Sequence, residues 1–445
     1  MTTRGIKNVT GVSCHISCAL QIIFHTLVPV RNALQKNKAG GNEKSFQSTR
    51  ILGQLAELVQ ALYASPPLSI EASSVDPSVL YKSLENFSSS KSARLSLDPH
   101  EVGDSSTAIT LLLRILSEQS PDWATLVDHC IAGWTSYTIV GVKKTTTKII
   151  TRTKNGKMKQ MPCPFPLVGT FDSLQDSLSI VFEPQHVTSY NWNDSNPQTY
   201  QESIREVDYN DNQQEVDTPW NTNKTIHMES WPKYCFFHLE RFSYDSSANR
   251  ILGNPRIEIP LTFNRNEVVG GSSESSPIID NQHLELLGGI LHVIDSGRIE
   301  EEGHYVSLLR NIPQNNGQLE SSSSSTWILV DDETCTTVDD DQSALALLRG
   351  KEGRDGKFYC ATLVVYGAYE CLHNDASPLG QLVEKLQQEG PLDLIGRRLK
   401  VKWAKNKFFE GTIHSYDAFT QKHRVVYDDG DEKEYILSEK TIEWV

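Results

Sequence analysis

The sequence predicts an α+β protein, in which a helical N-terminal part is followed by a β platform and a small all-β unit. Three observations support this prediction. Apolar residues recur every three or four positions in the first 130 residues, which is the period of helices packed on one face. Residues 134–366 carry short runs of β-branched and aromatic residues, and the same pattern returns after Gly390-Pro391. We expect a cleft between the helical part and the platform.

Four helices are predicted in the N-terminal part. The first begins at Cys14, with Ser13 at the N-cap position. The second covers residues 51–64, and a short third helix begins at Asp76-Pro77. The cluster at residues 104–107 is typical of an N-cap and predicts the fourth helix. The apolar face of the first helix consists of Ile16, Leu20, Ile23, Phe24 and Leu27.

The platform begins with a predicted β-hairpin. Residues 136–142 and 145–153 favour strands, and Asn155-Gly156, typical of a type I′ turn, leads into residues 157–161. Residues 188–223 are polar and rich in Asn, Asp and Gln, which predicts a loose insertion. The remaining predicted strands are 234–242, 256–259, 286–294, 304–310, 327–330 and 359–366.

The chain is predicted to divide into three parts. Residues 1–370 form the main domain, residues 371–392 form a linker with a helix at 381–388, and residues 393–445 form the C-terminal unit. The predicted strands of that unit are 398–403, 408–414, 423–427 and 434–437.

Composition limits the class of protein. The net charge is −14, from 42 basic and 56 acidic residues, which argues against nucleic-acid binding through bulk charge. The eight cysteines are scattered without a C-x-x-C pair, as in proteins of a reducing compartment. The N-terminus carries no apolar signal segment, and no run of about 18 apolar residues is present to span a membrane. We therefore expect an intracellular protein, nuclear or cytoplasmic.

Cys14 is a candidate nucleophile because it falls in the first turn of a predicted helix. A helix N-terminus carries partial positive charge and unpaired N–H groups, which stabilise a thiolate. A single cysteine at such a position is more often a buried core residue, so the helix alone leaves both roles open.

A histidine and an acid are expected to meet on neighbouring strands. Gly303-His304-Tyr305 begins one predicted strand, and Asp331 ends the next. Two antiparallel neighbours can bring the two side chains together, so that His304 accepts the thiol proton and Asp331 orients the imidazole. Taken singly, His304 is more often a structural residue and Asp331 a surface or turn residue.

Four motifs in the same order resemble those of the ubiquitin-specific proteases, which are papain-like cysteine enzymes. The family's cysteine motif is matched by Gly5-Ile6-Lys7-Asn8 and by Gly11 to His15, followed by Leu20-Gln21. Its histidine motif is matched by Gly303-His304-Tyr305 and by Trp327 to Asp332. Residues 231–242 and 361–366 are similar to two further strands of the family.

This resemblance implies a fold, a reaction and a set of catalytic residues. The fold is a thumb, palm and fingers arrangement that grips ubiquitin, and the reaction is hydrolysis of the bond after the C-terminal glycine of ubiquitin. Cys14 would be the nucleophile, His304 the general base and Asp331 the orienting acid. Asn8 would help to hold the oxyanion, and Asp332 completes the acidic pair of the motif.

The chain departs from the family pattern at three places that concern function. The family's helix-entry motif is reduced to residues 103–108, which keep only Asp104, and this departure also motivates a scaffold without turnover. One extra residue separates Asn8 from Cys14, so either the loop bulges or the oxyanion donor is displaced, and a lost donor costs about 10²–10³ in rate. The family's zinc-binding C-x-x-C pairs are absent, and Gly141 and Lys144 stand where the first pair would be. We therefore expect no structural zinc, no cofactor, and fingers reduced to a short hairpin around Asn155-Gly156.

The C-terminal unit resembles a Tudor domain, in particular those of chromatin- and cohesin-associated proteins. The similarity lies in residues 396–403, 408–411 and 426–431. Such domains hold methylated lysine or arginine in an aromatic cage through cation–π contacts, which favours a methylated histone or another chromatin protein as partner and the nucleus as location. The same aromatic residues could instead pack the small core. The cage candidates are Trp403, Phe409, Tyr416 and Tyr427, with Asp429 as counter-charge.

Two functional hypotheses follow. In the first, the chain is an active deubiquitinating thiol protease that its tail recruits to a methylated partner. In the second, it is a catalytically weak or inactive scaffold that binds ubiquitin without cutting. The extra residue before Cys14 motivates the second hypothesis, and the intact set of Cys14, His304 and Asp331 favours the first.

Overall fold

The computed structural model describes most of the chain. Described residues are 4–36, 47–63, 74–90, 97–368, 396 and 398–444, without residues 102, 146, 158, 169–171, 189, 193–199, 207–217, 246–249, 254–255, 266–282, 296–302, 312–325, 354, 404–407, 418–421, 438–439 and 441. The predicted linker helix at 381–388 lies outside the described residues.

Helices dominate the N-terminal part, as the apolar spacing predicts. Asp104 caps α5 by accepting a hydrogen bond from the backbone N–H of Thr107, which confirms the predicted cap. The helices are α1 (Cys14–Thr26), α2 (Val28–Lys36), α3 (Gln47–Tyr63), α4 (Ser78–Ser90), α5 (Ser105–Ser117), α6 (Pro121–Ile131), α7 (Leu174–Phe182) and α8 (Asp341–Arg349).

Most strands belong to the β platform and to the C-terminal unit. Their bounds are β1 (Gly5–Ile6), β2 (Ser74–Val75), β3 (Trp134–Lys144), β4 (Lys148–Asn155), β5 (Lys159–Gln160), β6 (Phe165–Val168), β7 (Gln185–His186), β8 (Gln201–Glu206), β9 (Asn221–Ser230), β10 (Tyr234–Glu240), β11 (Phe242–Asp245), β12 (Arg250–Gly253), β13 (Thr262–Asn264), β14 (His283–Asp295), β15 (His304–Asn311), β16 (Thr326–Asp331), β17 (Thr334–Val338), β18 (Lys351–Glu352), β19 (Lys357–Ala368), β20 (Arg398–Lys402), β21 (Phe408–Asp417), β22 (Lys422–Tyr427), β23 (Glu432–Tyr435) and β24 (Ile442–Trp444).

Helix α1 is the centre of the main domain. Every residue of α1 except His25 is buried, because the helix packs against α5 on one side and β15 on the other. The sequence predicts an apolar stripe, and the observed burial extends around the whole helix. A helix held on several sides places its first turn, and with it Cys14, in a fixed position.

The central sheet carries the strands that the histidine motif predicts. Its order is β17-β16-β15-β14-β19-β10-β6, with β13 paired to β14 and β18 to β19. Strands β15 and β16 are antiparallel neighbours, with Ser307 opposite Val330. This confirms the arrangement that was expected to bring His304 and Asp331 together.

A second sheet, here called the outer sheet, corrects the predicted hairpin. Its order is β7-β9-β3-β4-β8, with β5 paired to β3, so it is broader than a short hairpin. The segments on either side of Asn155-Gly156, β4 and β5, both pair with β3 and not with each other. Gly156 lacks the positive φ that a type I′ turn requires, and its N–H donates to the C=O of Tyr137 over 2.7 Å, so the turn prediction was wrong.

The predicted loose insertion at 188–223 is also partly ordered into this outer sheet. Strand β8 pairs with β4, and β9 pairs with β3 along most of its length. Trp192 is 1% exposed and its ring contacts Tyr190, Tyr200 and Trp220. The aromatic residues of this polar segment supply a small core that its average composition does not indicate.

The C-terminal unit is a five-stranded antiparallel sheet. The strand order is β23-β22-β21-β20-β24, and a bulge interrupts β21 between Ile413 and Ser415. The predicted strands are confirmed, and β24 is additional. Its core consists of Leu399, Val401, Ile413, Val425, Tyr427 and Leu437.

No single helix in the described part of the chain is long and apolar enough to cross a membrane. Helices α1 and α2 reach the required length and composition only as a pair, and they are bent by 95° relative to each other.

Candidate active site

Cys14 is the first residue of α1, at the position that the sequence predicts. Its side chain is 8% exposed. Ser13 occupies the N-cap position, but its hydroxyl makes no capping bond to the helix, which corrects the expected role of that residue. Cys14 thus lies at the helix N-terminus, where the partial positive charge stabilises a thiolate.

His304 lies next to both proposed partners. Its Nε2 atom lies 2.6 Å from Oδ1 of Asp331, and the side chain of Cys14 lies close enough to the imidazole to raise its pKa. Because Nε2 faces the acid, Nδ1 is the ring nitrogen left for the sulfur. The three predicted residues thus lie in one chain of contacts, from thiol to imidazole to carboxylate.

The two ionisable groups stabilise each other's charged form. The hydrogen bond to Asp331, followed by the contact with Cys14, raises the pKa of His304 to about 10 against the opposing effect of burial. The same hydrogen bond lowers the pKa of Asp331. His304 can therefore keep a proton that it receives from the thiol.

Asn8 and Asp332 form the second part of the site. The Nδ2 atom of Asn8 donates to Oδ2 of Asp332 over 3.0 Å. Burial raises the pKa of Asp332, and the Asn8 bond opposes this change. Oδ2 of Asp332 also lies 3.8 Å from Nε2 of His304, compared with 2.6 Å for Asp331. Of the two neighbouring acids, Asp331 orients the imidazole and Asp332 holds the amide.

Backbone geometry separates the roles of these two acids. Asp331 ends β16, and Asp332 begins the two-residue turn to β17 with φ of +48°, a conformation in which Asp is enriched. An added Cβ at Gly5 would collide with the backbone oxygen of Asp332. The absence of a side chain at Gly5 thus lets β1, and Asn8 beyond it, approach this turn.

The extra residue before Cys14 is accommodated in a loop with two fixed points. Gly11 adopts φ of +80°, and its N–H donates to the C=O of Asn8 over 3.4 Å. The hydroxyl of Thr10 donates to the C=O of Pro99 over 2.5 Å. Asn8, at the start of this loop, donates to Asp332.

Ser13 is a residue of the site that the sequence does not identify as such. Its N–H and its hydroxyl both donate to Oδ1 of Asn8, over 3.2 and 2.9 Å. Its position directly before the candidate nucleophile was the available signal, but the pattern there is also that of an ordinary N-cap.

The site contains one group of potential metal ligands among the described residues. Ligand atoms of His304, Asp331 and Asp332 lie within 4.8 Å of one another. His304 and Asp331 bond to each other, and Asp332 accepts from Asn8, so these contacts satisfy the group without an ion.

An aromatic side chain occupies the position where the family's zinc ligand would stand. An added Cβ at Gly141 would collide with the indole of Trp192, whose Nε1 donates to the hydroxyl of Thr222 over 2.9 Å. The guanidinium of Arg152 lies 4.7 Å from the ring centre of Tyr200 and 4.9 Å from that of Trp220. These residues do not fit a zinc site.

Three of the four aromatic cage candidates come together in the C-terminal unit. The ring centre of Trp403 lies 4.8 Å from that of Phe409 and 5.3 Å from that of Tyr427. The indole N–H of Trp403 donates to the hydroxyl of Tyr427, which in turn donates to Tyr435. Lys433 places its Nζ atom 5.5 Å from the ring centre of Trp403.

Tyr416 and Asp429 differ from the expected arrangement. The ring of Tyr416 packs on His423 at 4.6 Å and is 5% exposed, so it is a core residue in the described part of this unit. Asp429 is exposed in the turn after β22, where its carboxylate accepts from the N–H of Asp431. Tyr435, which was not among the candidates, accepts a hydrogen bond from the hydroxyl of Tyr427 over 3.0 Å.

The family model of the ubiquitin carboxyl-terminal hydrolases matches residues 4–356. The chain belongs to this family. The match covers most of the 445 residues and includes all five residues proposed for the catalytic site. The resemblance to the cysteine-type deubiquitinases is therefore confirmed at the level of the family.

Solved structures show that the fold is that of a ubiquitin-specific protease catalytic domain. The SAGA Ubp8/Sgf11/Sus1/Sgf73 DUB module bound to ubiquitin aldehyde matches with a TM-score of 0.55 and 13% identity, over 82% of this hydrolase chain and 69% of that chain. The same module bound to monoubiquitin matches with a TM-score of 0.53, 13% identity and the same coverage. At this identity the likeness shows the fold alone.

Curated relatives match this chain over a much shorter length. The sister chromatid cohesion proteins PDS5 homolog C and PDS5 homolog A of Arabidopsis thaliana are 44% identical over 52 residues and 43% identical over 53 residues. Each match covers 12% of this hydrolase chain. The chain spans only 6% and 3% of the length of these two relatives.

Proposed function

We propose that this chain is an active deubiquitinating thiol protease, which hydrolyses the peptide or isopeptide bond after the C-terminal glycine of ubiquitin. The single observation that carries the proposal is the continuous contact from Cys14 through His304 to Asp331. The family match supplies the substrate class, and the bound ubiquitin in both SAGA modules supports it.

In the first half of the reaction, Sγ of Cys14 attacks the carbonyl carbon of the ubiquitin C-terminal glycine. The thiol proton passes to His304, which then protonates the departing amine as the C–N bond breaks. An N–H of Asn8 and the N–H groups of the first turn of α1 stabilise the oxyanion. The product of this half is a thioester between Cys14 and ubiquitin.

In the second half, His304 removes a proton from a water molecule, which attacks the thioester carbonyl. The C–S bond breaks, ubiquitin leaves with a carboxylic acid that releases its proton to solvent, and the sulfur regains the other water proton from His304. Asp331 holds the imidazole in orientation throughout, through the 2.6 Å contact with Nε2. Atoms and charges balance with water as the only co-reactant.

The proposal is tested by reaction with ubiquitin that carries a C-terminal vinyl ester electrophile. We expect one ubiquitin adduct on each chain, located at Cys14 by peptide mass spectrometry. The exposed Cys335 serves as an internal control, because a small alkylating reagent should reach it while the ubiquitin reagent should not. A folded protein that forms no adduct at Cys14 would contradict the proposal.

A binding scaffold without turnover is the second candidate function. The observation that favours it is the extra residue in the loop from Asn8 to Cys14, which carries Val9 with 50% of its surface exposed. The contacts of Asn8 with Ser13 and Asp332 favour the active enzyme instead. Ubiquitin binding without hydrolysis would support the scaffold.

We also propose that the C-terminal unit is a Tudor-like module that recruits the enzyme to a methylated chromatin protein in the nucleus. The PDS5 matches extend over 52 and 53 residues, which agrees with the length of the predicted unit, residues 393–445. The half-buried rings of Trp403, Phe409 and Tyr435 offer aromatic faces to a methylated cation, and the buried Tyr427 bonds to Trp403 and Tyr435 through its hydroxyl.

Replacement of Trp403 by alanine is expected to weaken binding to methyl-lysine histone peptides about tenfold, because one cation–π contact is lost. The measurement is fluorescence polarisation with the full chain and peptides carrying zero to three methyl groups. Tyr416→Phe is the matched control, since Tyr416 packs on His423 and should leave binding unchanged. Equal binding of all peptides, or no effect of Trp403→Ala, would contradict methyl-lysine recognition.

A further inference from the structure

We propose that Tyr81 is a positioning residue for the oxyanion site: through Ser13, it fixes the side-chain amide of Asn8 in the orientation that stabilises the transition state. The inference rests on the proposed hydrolase function and identifies a residue that lies outside all four sequence motifs. Tyr81 belongs to α4 and is separated by more than sixty positions from the loop that it supports.

The first step is the contact of Tyr81 with the residues around Cys14. Tyr81 is 3% exposed, and its hydroxyl lies 2.7 Å from Oγ of Ser17. Ser17 in turn donates its backbone N–H to the C=O of Ser13 over 3.1 Å, and the side chain of Ser13 lies close enough to the Tyr81 hydroxyl to lower its pKa. Burial raises the pKa of Tyr81 far above the ordinary value, so the hydroxyl stays neutral and keeps its proton for donation.

The second step is the transfer of orientation from Ser13 to Asn8. The hydroxyl and the N–H of Ser13 both donate to Oδ1 of Asn8. Since the amide oxygen only accepts and the amide nitrogen only donates, these two bonds exclude the flipped orientation. They direct Nδ2 towards Asp332, and the second N–H of Nδ2 stays available for a substrate oxygen.

The third step explains why this chain needs such support. The extra residue lengthens the link between Asn8 and Cys14, and a longer link by itself restrains the amide less. Two hydrogen bonds from Ser13, one from its N–H and one from its hydroxyl, restore the restraint. The contact of Tyr81 with Ser17, whose N–H is bonded to the C=O of Ser13, holds Ser13 in place.

The helix that carries Tyr81 is also tied to the strand that carries Asn8. Strand β2, directly before α4, pairs in parallel with β1, with Gly5 opposite Ser74. The N–H of Lys7, next to Asn8, donates to the C=O of Val75 over 2.9 Å. Tyr81 and Asn8 thus sit on elements that hold each other in register.

The test is a double-mutant cycle with a fluorogenic ubiquitin C-terminal substrate. Tyr81→Phe removes only the hydroxyl, and we expect kcat to fall about tenfold, the effect of one buried hydrogen bond of ordinary strength. KM should not change, because Tyr81 does not touch the substrate. Asn8→Ala should lower kcat by about 10²–10³. In the Asn8→Ala background, Tyr81→Phe should cost no more than about twofold, since the group through which it acts is gone.

Tyr366→Phe is the matched control for a purely structural effect. Tyr366 is fully buried, and its hydroxyl donates to the C=O of Pro260 over 2.6 Å, away from the catalytic residues. It should lower the melting temperature as Tyr81→Phe does, but leave kcat unchanged. Ser13→Ala should reproduce the kcat loss of Tyr81→Phe, and the two should not add.

Each outcome of this cycle decides between defined alternatives. If Tyr81→Phe leaves kcat unchanged, or lowers it equally with and without Asn8, the positioning role is overturned while the hydrolase function stands. If the wild-type chain forms no adduct with the ubiquitin electrophile and shows no turnover, the proposed function itself fails, and the role of Tyr81 in it fails too.

Discussion

Replacement of Cys14 by alanine is expected to abolish hydrolysis of ubiquitin conjugates, with a loss of at least about 10⁴ in kcat/KM. The side chain is the proposed nucleophile, and the described residues next to His304 offer no second thiol at the helix N-terminus. The substitution should lower the rate of hydrolysis without changing the fold, because it removes one sulfur from a helix that is buried on all sides. Cleavage of a linked diubiquitin, followed by gel and mass spectrometry, measures it.

Ubiquitin binding by the same variant separates the two candidate functions. In an active enzyme, Cys14→Ala should keep the affinity for ubiquitin within about twofold, measured by calorimetry, while turnover disappears. Cys18→Ala is the matched control: Cys18 lies one turn further along α1, is 3% exposed, and should retain turnover. A wild-type chain that binds ubiquitin but cuts no more than Cys14→Ala would favour the scaffold.

Replacement of Asp331 by asparagine is expected to lower kcat by about 10²–10³, because the imidazole loses both its orientation and the charge that stabilises its protonated form. Asp331 is the largest cause of the raised pKa of His304. In Asp331→Asn this pKa should fall from about 10 towards the ordinary value near 6.5. The measurement is an NMR titration of the His304 ring in parallel with kcat.

The same substitution should change how stability depends on pH. The folded-state pKa of His304 lies above its unfolded value, so its contribution to stability is fully present below pH about 6.5 and is lost as the pH rises through about 10. The stability deficit of Asp331→Asn, from urea unfolding, should thus be larger at pH 6 than at pH 10. Asp332→Asn is the control: it should impair kcat through Asn8 and lower the His304 pKa much less than Asp331→Asn does, because the Asp332 charge is a minor cause of that pKa.

The sequence allowed the catalytic residues to be predicted because each lies at a recognisable place in a regular element. Cys14 starts a helix with a clear apolar period, and His304 and Asp331 lie on strands that are neighbours in sequence and in space. The position of such residues can be predicted from the sequence, because strands that follow one another along the chain usually pair.

The supporting residues could not be predicted in the same way. Tyr81 looks like one apolar position of an amphipathic helix, and only the packing of α4 against the start of α1 brings its hydroxyl to Ser17. Ser13 resembles an N-cap, yet its hydroxyl bonds to Asn8. Gly156 follows an asparagine as in a hairpin turn, but Tyr137 from β3 fills that space. In each case a contact distant in sequence overrides a local preference.

The indole of Trp192 and a metal-binding thiol at residue 141 exclude each other, since both need the volume in front of the Gly141 backbone. In Gly141→Cys alone, the new side chain would collide with the indole of Trp192. Removal of the indole alone would leave a void beside Tyr200 and Trp220. A sheet stabilised by a metal site and a sheet stabilised by these aromatic rings therefore differ at several positions that must change together. A chain with only the cysteine added, or only the tryptophan removed, should be less stable than either sheet.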